Sequence, residues 1–397
     1  MTSDTTQSSN QSGAGPLDGV LVLDFTCVLA GPHCSRLLTD LGANVIKVEP
    51  PEGDMTRRLL PRIHSISNYF AQQNCGKLNI SLDLKKPEAL ALLLKLAAQA
   101  DVILENFRPG VMERMGLGPE KLCKDNPRLI FASISGYGQD GLWKNRRAYA
   151  PLVHAEMGMI EEAARFRGIE PEADPLAHAD VYAGLYGVSG VLAALYQRSI
   201  TGRGQRVDTS MAEALLMANE YTAIELAGPL DFELRPISML SPIFTMGSGR
   251  KIQVGGDPII GGNFRSYCKA MQRPELREDP RFADHSLRSE NRDELLAEIG
   301  SWVASFHDEE KLEDVLSAAA LVMGSVRSLE EVAATDWAKE RGAIVEVDDR
   351  HGGTMKVPNT PWRFSDANSG VTGVPAYRGE HNAQVFSEIL DLDSEEI

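Results

Sequence analysis

The chain has 397 residues, 43% of them hydrophobic and 24% charged, a composition typical of globular proteins with a large core. Fifty-six acidic residues against 40 basic ones leave a net charge of −16, which opposes loose association with nucleic acid or anionic lipid. No uncharged apolar run reaches the roughly 18 residues of a membrane span, and the length predicts two domains.

Residues 1–16 are polar and rich in Gly, Ser, Thr and Gln, and read as a disordered tail. From Leu17 short β-branched runs alternate with helical segments, the pattern of βαβ units. Val20–Phe25 and Asn44–Glu49 read as strands flanking a helix over Pro32–Leu41. Leu78–Leu84, Asp101–Glu105 and Arg128–Ser133 read as further strands, with helices over Pro87–Ala100 and near Pro119–Lys124. The predicted fold class is therefore α/β, a doubly wound parallel sheet of Rossmann-like type. A long helix after Asp180 carries Gly184, Gly187 and Gly190, and glycines so spaced predict close approach of another backbone. Beyond Leu230 charge and proline increase, which predicts a smaller α+β domain. The expected divisions are 1–16 tail, 17–225 large domain, 226–349 small domain and 350–397 a loop-rich segment returning to the large domain.

Gly136-Tyr-Gly-Gln-Asp-Gly141 satisfies G-x-G-x-x-G after a predicted strand, but no apolar helix opens at its third glycine, so it reads as a glycine-rich turn. No G-x-S-x-G, H-E-x-x-H or P-loop is present. The five cysteines are scattered without metal-ligand spacing, which predicts a reduced cytoplasmic protein with no structural metal. His33, His154 and His178 each read as a hydrogen-bonded or partly exposed imidazole. Arg108, Arg114, Lys144, Arg146 and Arg147 lie near predicted carboxyl ends of strands, where open α/β sheets bind ligands. They read either as a solvated face or, if they converge, as a phosphate site. Asp180 at the start of the long helix reads first as an N-cap, though that place also keeps a carboxylate ionised and oriented as a nucleophile must be.

Five segments together, LDGVLVLDFTCVLAGPHCSRLLTDLGANVIKVEPPEGDMTR, NCGKLNISLDLKKPEA, ADVILENFRPGVMERMGLG, NPRLIFASISGYGQDG and HADVYAGLYG with TGRGQRVDTSMAEALL, resemble the class III CoA-transferases, a family that includes α-methylacyl-CoA racemases. The resemblance implies a large α/β domain joined to a small one, in an interlocked homodimer. It implies coenzyme A, carried as acyl-CoA substrate and product, and an acid acceptor as the partners; charge, cysteine spacing and the lack of a long apolar run already predict no nucleic acid, metal or membrane. Asp180 resembles the family's catalytic aspartate. Asn106, Arg108, Arg114 and Arg147 would hold the nucleotide of coenzyme A, with Val28 and Met211 lining its path. Leu29, Leu59 and Tyr149 would border the acyl pocket.

The implied chemistry is acyl transfer through mixed anhydrides and an aspartyl-CoA thioester. Racemisation needs a histidine opposite the aspartate, and ungapped alignment puts Tyr149 there, with His154 five residues further along. Transferase is thus the expected activity; a racemase or epimerase, or a CoA-binding protein without turnover, is the alternative. Oxalate-using relatives carry a glycine run, a glutamine, a tryptophan and an arginine where this chain has Gly255-Gly256 and Gly261-Gly262 in another setting, Leu29, Leu59 and Pro50. These departures point away from oxalate and formate and toward a larger or less polar acid.

Overall fold

The computed structural model describes residues 14–63, 66–228 and 237–393, so most of the expected 1–16 tail lies outside the described residues. The chain divides into two compact units, one running to Thr222 and resuming at Asp336, the other spanning Ala223–Thr335.

The first unit is built on six parallel strands: β1 (Leu21–Asp24), β2 (Asn44–Glu49), β3 (Leu78–Ser81), β4 (Val102–Glu105), β5 (Ile130–Ser135) and β6 (Arg206–Ser210). Their order is β3-β2-β1-β4-β5-β6, the doubly wound arrangement expected from the sequence. The direction of winding reverses between β1 and β4, which opens a crevice at their carboxyl ends. Helices α1 (Ala30–Asp40), α2 (Asn68–Asn74), α3 (Pro87–Gln99), α4 (Ala150–Glu156), α5 (His178–Thr201), α6 (Met211–Ala218) and α7 (Asn382–Leu390) surround the sheet.

Side chains alternate across each strand, so the sheet feeds two cores. Val22, Val102, Leu104 and Ile134 pack with Cys34 and Leu38 of α1 and Val188 and Val191 of α5. Leu23, Ile46, Ile103 and Phe131 pack on the other face with Leu93 and Leu96 of α3 and Phe386 of α7.

By length and composition α5 is apolar enough to cross a membrane, with hydropathy 1.2 over its best window. One face of it is buried in the first of these cores. A Cβ on Gly184 would lie 2.8 Å from the carbonyl oxygen of Ala30, so the backbone approach predicted from the glycine spacing occurs here. A Cβ on Gly187 or Gly190 would instead meet the side chains of Ile134 or Val207, each at 2.8 Å. The glycines let α5 sit against both α1 and the sheet.

A charged network is sealed beneath the crevice. Asp24 ends β1 and is fully buried, where Lys77 Nζ donates to it at 3.1 Å. Lys77 also donates to Ser35 Oγ at 2.7 Å and Asn74 Oδ1 at 2.8 Å, and Ser35 in turn donates to Asp24 at 2.6 Å. Burial nevertheless pulls the Lys77 ammonium down to about 8. Lys47 of β2 donates to Thr26 O at 2.7 Å and pairs with Asp54 at 3.2 Å.

The segment after Asp336 returns to the sheet edge. His381 Nδ1 accepts the Asn79 N–H at 3.0 Å and Asn382 Oδ1 accepts the Ser81 N–H at 2.9 Å, so the outer edge of β3 is covered by the start of α7.

The second unit has a three-stranded antiparallel sheet with Lys251–Gly255 between Ile243–Thr245 and Val322–Ser325. Ile252 and Val254 pack there against Phe264, Ile299 and Leu312 from the helices Gly261–Ala270, Arg292–Val303 and Glu309–Ala318.

Gly184→Ala forces a methyl onto the Ala30 carbonyl and is expected to destabilise the protein by ~1–3 kcal/mol in urea unfolding. Gly262→Ala, on a helix with open space around it, is the control and is expected to be neutral or stabilising by a few tenths of a kcal/mol up to ~1.

Candidate active site

The crevice is shaped first by the loops leaving β1 and β4. Asn106 follows β4 and reaches across the switch point, its Oδ1 accepting the Cys27 N–H at 2.8 Å and its Nδ2 donating to the Cys27 carbonyl at 2.8 Å. The next residue, Val28, has φ +68°, a left-handed conformation that a β-branched side chain rarely adopts. Its N–H donates to Asp54 Oδ2 at 3.3 Å, and Asp54 is itself held by Lys47. Asn106 on one side and the Lys47–Asp54 pair on the other thus hold Val28 in that conformation.

These loops open on a cavity of about 510 Å³. Its lining contains Asp180, Val28, Asn106, Arg108, Arg114, Arg147, Met211 and Tyr149 of the residues singled out from the sequence, together with Lys144 and Arg146. Leu29 and Leu59 are not part of this lining; Leu29 is 7% exposed and turned into the core, and Leu59 is 40% exposed.

Asp180 is not an N-cap. Helix α5 begins at His178 with Ala177 at the cap position, so Asp180 lies inside the first turn and its carboxylate is left for other partners. Burial pushes its pKa up from 3.8 to about 6, against the backbone amides of Ala30, Ala150 and Asp180 itself, which favour the ionised form. Ala30 is the first residue of α1 and Ala150 the first of α4, so the carboxylate sits where three helices begin. Amide groups at helix starts lack intrahelical acceptors and carry partial positive charge. Such an arrangement can hold a carboxylate and can equally stabilise an oxyanion formed next to it.

The lining of the same cavity is also cationic. Arg108, Arg114, Lys144 and Arg147 line it, and among the described residues none of them has a carboxylate partner. Arg146 differs, because it pairs with Glu156 and lies over the Trp143 ring at 4.5 Å. Unpaired guanidinium and ammonium groups around one cavity suit phosphate oxygens.

Cys27 lines the same cavity, but burial first and the Asp54 charge second push its thiol up to about 11, so it stays protonated at neutral pH. Glu105, at the end of β4, accepts the Phe107 N–H at 2.8 Å, which shapes the turn carrying Arg108. Burial raises its pKa to about 7.

The histidines are engaged in hydrogen bonds. His33 Nδ1 meets Gln73 Oε1 at 3.2 Å, His178 Nδ1 meets Asp174 at 2.9 Å, and the buried His154 accepts the Ala179 N–H through Nε2 at 3.1 Å. Gly136–Gly141 forms a turn without a following helix, in which the Gly138 N–H donates to Ser135 Oγ at 3.0 Å and the Gln139 N–H to Asp208 at 2.8 Å. A Cβ on Gly136 would collide with that of Ala148, so this glycine brings the Arg147–Ala150 segment against β5. Among the described residues no group of three or more His, Cys, Asp or Glu is arranged to hold a metal ion.

Sequence reasoning did not find the amides of Ala30 and Ala150, the Asp54 clamp on Val28 or the Ala179 contact of His154. Backbone donors carry no residue-type signal. Pro151, just inside the start of α4, was the available hint that a helix begins at Ala150.

Residues 17–382 match the sequence profile of CoA-transferase family III. The chain is 33% identical to the succinyl-CoA–D-citramalate CoA-transferase of Chloroflexus aurantiacus over 396 residues, covering 98% of each chain. It is 34% identical to the acetyl-CoA:oxalate CoA-transferase of Acetobacter aceti, covering 91% of this chain and 92% of that one. Among solved structures, Rv3272 from Mycobacterium tuberculosis superposes with TM-score 0.79 at 34% identity, covering 94% of this chain and 99% of that one. A CAIB/BAIF family protein from Brucella suis superposes with TM-score 0.82 at 29% identity, covering 95% and 100%. Sequence and fold agree over nearly the whole length, and the chain belongs to the family III CoA-transferases.

Proposed function

We propose that the protein transfers coenzyme A from an acyl-CoA donor to a carboxylic acid acceptor, with Asp180 as the nucleophile. The observation that carries this reading is that one cavity holds Asp180, ringed by helix-start amides, and the cations Arg108, Arg114, Lys144 and Arg147, which have no carboxylate partner among the described residues. A phosphate-bearing thioester bound across the cavity would place its nucleotide on the cations and its carbonyl at the carboxylate.

Asp180 Oδ attacks the thioester carbonyl, the C–S bond breaks, and a mixed anhydride and CoA thiolate result. The thiolate attacks the aspartyl carbonyl and expels the donor acid, leaving an aspartyl-CoA thioester. The acceptor carboxylate attacks that thioester, releasing thiolate and forming a second anhydride. Thiolate attack on the acceptor carbonyl then frees Asp180 and yields the new acyl-CoA. Each addition creates an oxyanion, for which the amides of Ala30 and Ala150, which already face the Asp180 carboxylate, are candidate donors. Asn106 and the raised thiol of Cys27 fit supporting roles, the first in fixing the loop and the second in offering no competing thiolate.

Racemisation would require a second proton-transfer group facing Asp180. His154 is buried with Nε2 already accepting the Ala179 N–H, which favours transfer over racemisation. Exposed apolar side chains on α5 and α6, among them Tyr196 at 71% and Met217 at 75%, support a homodimer that covers them, interlocked as the family resemblance implies. The five free cysteines fit a reducing compartment such as the cytoplasm.

The test is incubation with acyl-CoA donors and free acids, read by mass spectrometry of the CoA products. Asp180→Asn is expected to abolish transfer while leaving CoA affinity within about threefold (~0.7 kcal/mol). Hydroxylamine added to donor-treated enzyme should convert Asp180 to a hydroxamate, and a modified residue elsewhere would refute the assignment.

The pH dependence follows from the sign of the shift. Only the carboxylate is nucleophilic, so kcat/KM for the donor is expected to rise with pH through about 6. Between 3.8 and about 6 the folded protein binds more protons than the unfolded chain at this site, so its contribution to stability falls as pH rises through that window. Asp180→Asn should therefore raise stability at pH 8, by on the order of 1–2 kcal/mol in urea unfolding.

Arg114→Gln and Arg147→Gln remove cavity cations assigned to the nucleotide of coenzyme A. Each is expected to raise KM for acyl-CoA about tenfold (~1.4 kcal/mol) with kcat changed less than threefold in steady-state kinetics.

A further inference from the structure

The first-turn amide of Ala179 precedes the nucleophile directly, and its hydrogen-bond acceptor comes from another helix. That acceptor is Nε2 of His154, in α4, at 3.1 Å. The His154 side chain is fully buried. Because Nε2 accepts, the ring proton must reside on Nδ1, and Nδ1 has no partner among the described residues. A buried donor without an acceptor is destabilising, and a phenylalanine would fill similar space without that penalty. The imidazole is thus a poor choice for packing alone and a good one for presenting an unprotonated nitrogen to Ala179.

The same helix closes the site from its other end. The first amide of α4, that of Ala150, faces the Asp180 carboxylate, as does the first amide of α1. The His154–Ala179 bond therefore ties the helix that carries the nucleophile to a helix that supplies one of its amide neighbours. The titratable groups facing the ring are His178, whose ring centroid is 6.2 Å away, and Asp174, which is bonded to His178. Burial lowers the His154 pKa, and the His178 charge acts in the same direction while Asp174 opposes both. The ring consequently stays an acceptor at neutral pH.

We propose that His154 is a positioning residue for the transferase reaction, acting as a neutral cross-helix cap that fixes the Ala179–Asp180 backbone against the amide of Ala150. This rests on the reading of Asp180 as the nucleophile. Protonation of His154 would turn Nε2 into a donor facing the Ala179 donor and break the tie.

Two substitutions separate positioning from packing. His154→Phe keeps the volume and removes the acceptor, whereas His154→Gln can present an amide oxygen near the place of Nε2. Both variants and the wild type are compared in melting temperature, donor KM, kcat, the pH profile of kcat/KM, and the single-turnover rate at which hydroxylamine-trappable Asp180 forms. For His154→Phe the expected result is a loss of tenfold or more in kcat and trapping rate, with donor KM within twofold. Its acid limb should move to higher pH, because misplaced amides no longer favour the carboxylate. His154→Gln should recover kcat to within threefold of wild type and restore the limb.

A Phe variant that melts earlier but keeps kcat and the acid limb would overturn the proposal, as would a Gln variant no better than Phe. Should the Phe variant fail to fold, the Gln variant decides: wild-type limb and near-wild-type kcat support the cap, and a tenfold loss refutes it. Absence of any Asp180 hydroxamate in the wild type would instead defeat the nucleophile assignment itself, an outcome distinct from unchanged trapping in the Phe variant.

Discussion

The carboxyl end of β1 rests on ions that water does not reach. Asp24 and Lys77 pair beneath the crevice while Lys47 bridges Thr26 and Asp54, and the chain between these anchors is the segment that borders the cavity. Buried pairs of this kind contribute little net stability over apolar packing, yet removing one partner typically costs about 3–5 kcal/mol because the other charge is stranded. What such a network confers is a fixed conformation. Here it specifies a left-handed valine that local preference would not select, and Asn106 clamps the adjoining peptide from the other side.

The second determinant is the meeting of helix starts around Asp180. Close packing at Gly184 brings the Ala30 carbonyl within van der Waals contact of α5, and this places the first turn of α1 beside that of α5. Dehydration and amide donors act on the carboxylate in opposite directions, and dehydration dominates. The group that results is mostly ionised at neutral pH but poorly solvated, and so retains the reactivity that a hydration shell would reduce. In the same cavity, cations that have no carboxylate partner among the described residues provide the complementary field.

Much of the sheet could be read from the chain because parallel strands buried on both faces are continuous apolar runs, and VLVLDF, NVIKVE and DVILE are of that kind. The cavity residues followed from family resemblance, and eight of the ten named positions share one lining. Of the other two, Leu29 is one step along the backbone from the lining residue Val28, while Leu59 follows the Met55–Arg58 helical turn, no residue of which belongs to the lining. The reading of Asp180 as a cap failed for a related reason, since His178 and Ala179 carry no start signal and the helix begins three residues earlier than a cap at Asp180 implies. The buried pairs beneath the crevice were not read from the sequence: Lys77 lies 53 positions from Asp24, and Asp54, only seven positions from Lys47, is brought to it by the turn after β2 rather than by any residue-type pattern.

The cover over β3 has a consequence for biosynthesis. Asn79 and its acceptor His381 are separated by 302 positions, so the strand emerges from the ribosome long before its edge can be sealed. During that interval its free amide row is a template onto which a second nascent strand could dock. Polysomes carrying several growing copies would bring such edges together, and holdase chaperones that occupy the bare strand until α7 arrives would serve this chain more than one whose sheet is closed by neighbours in sequence.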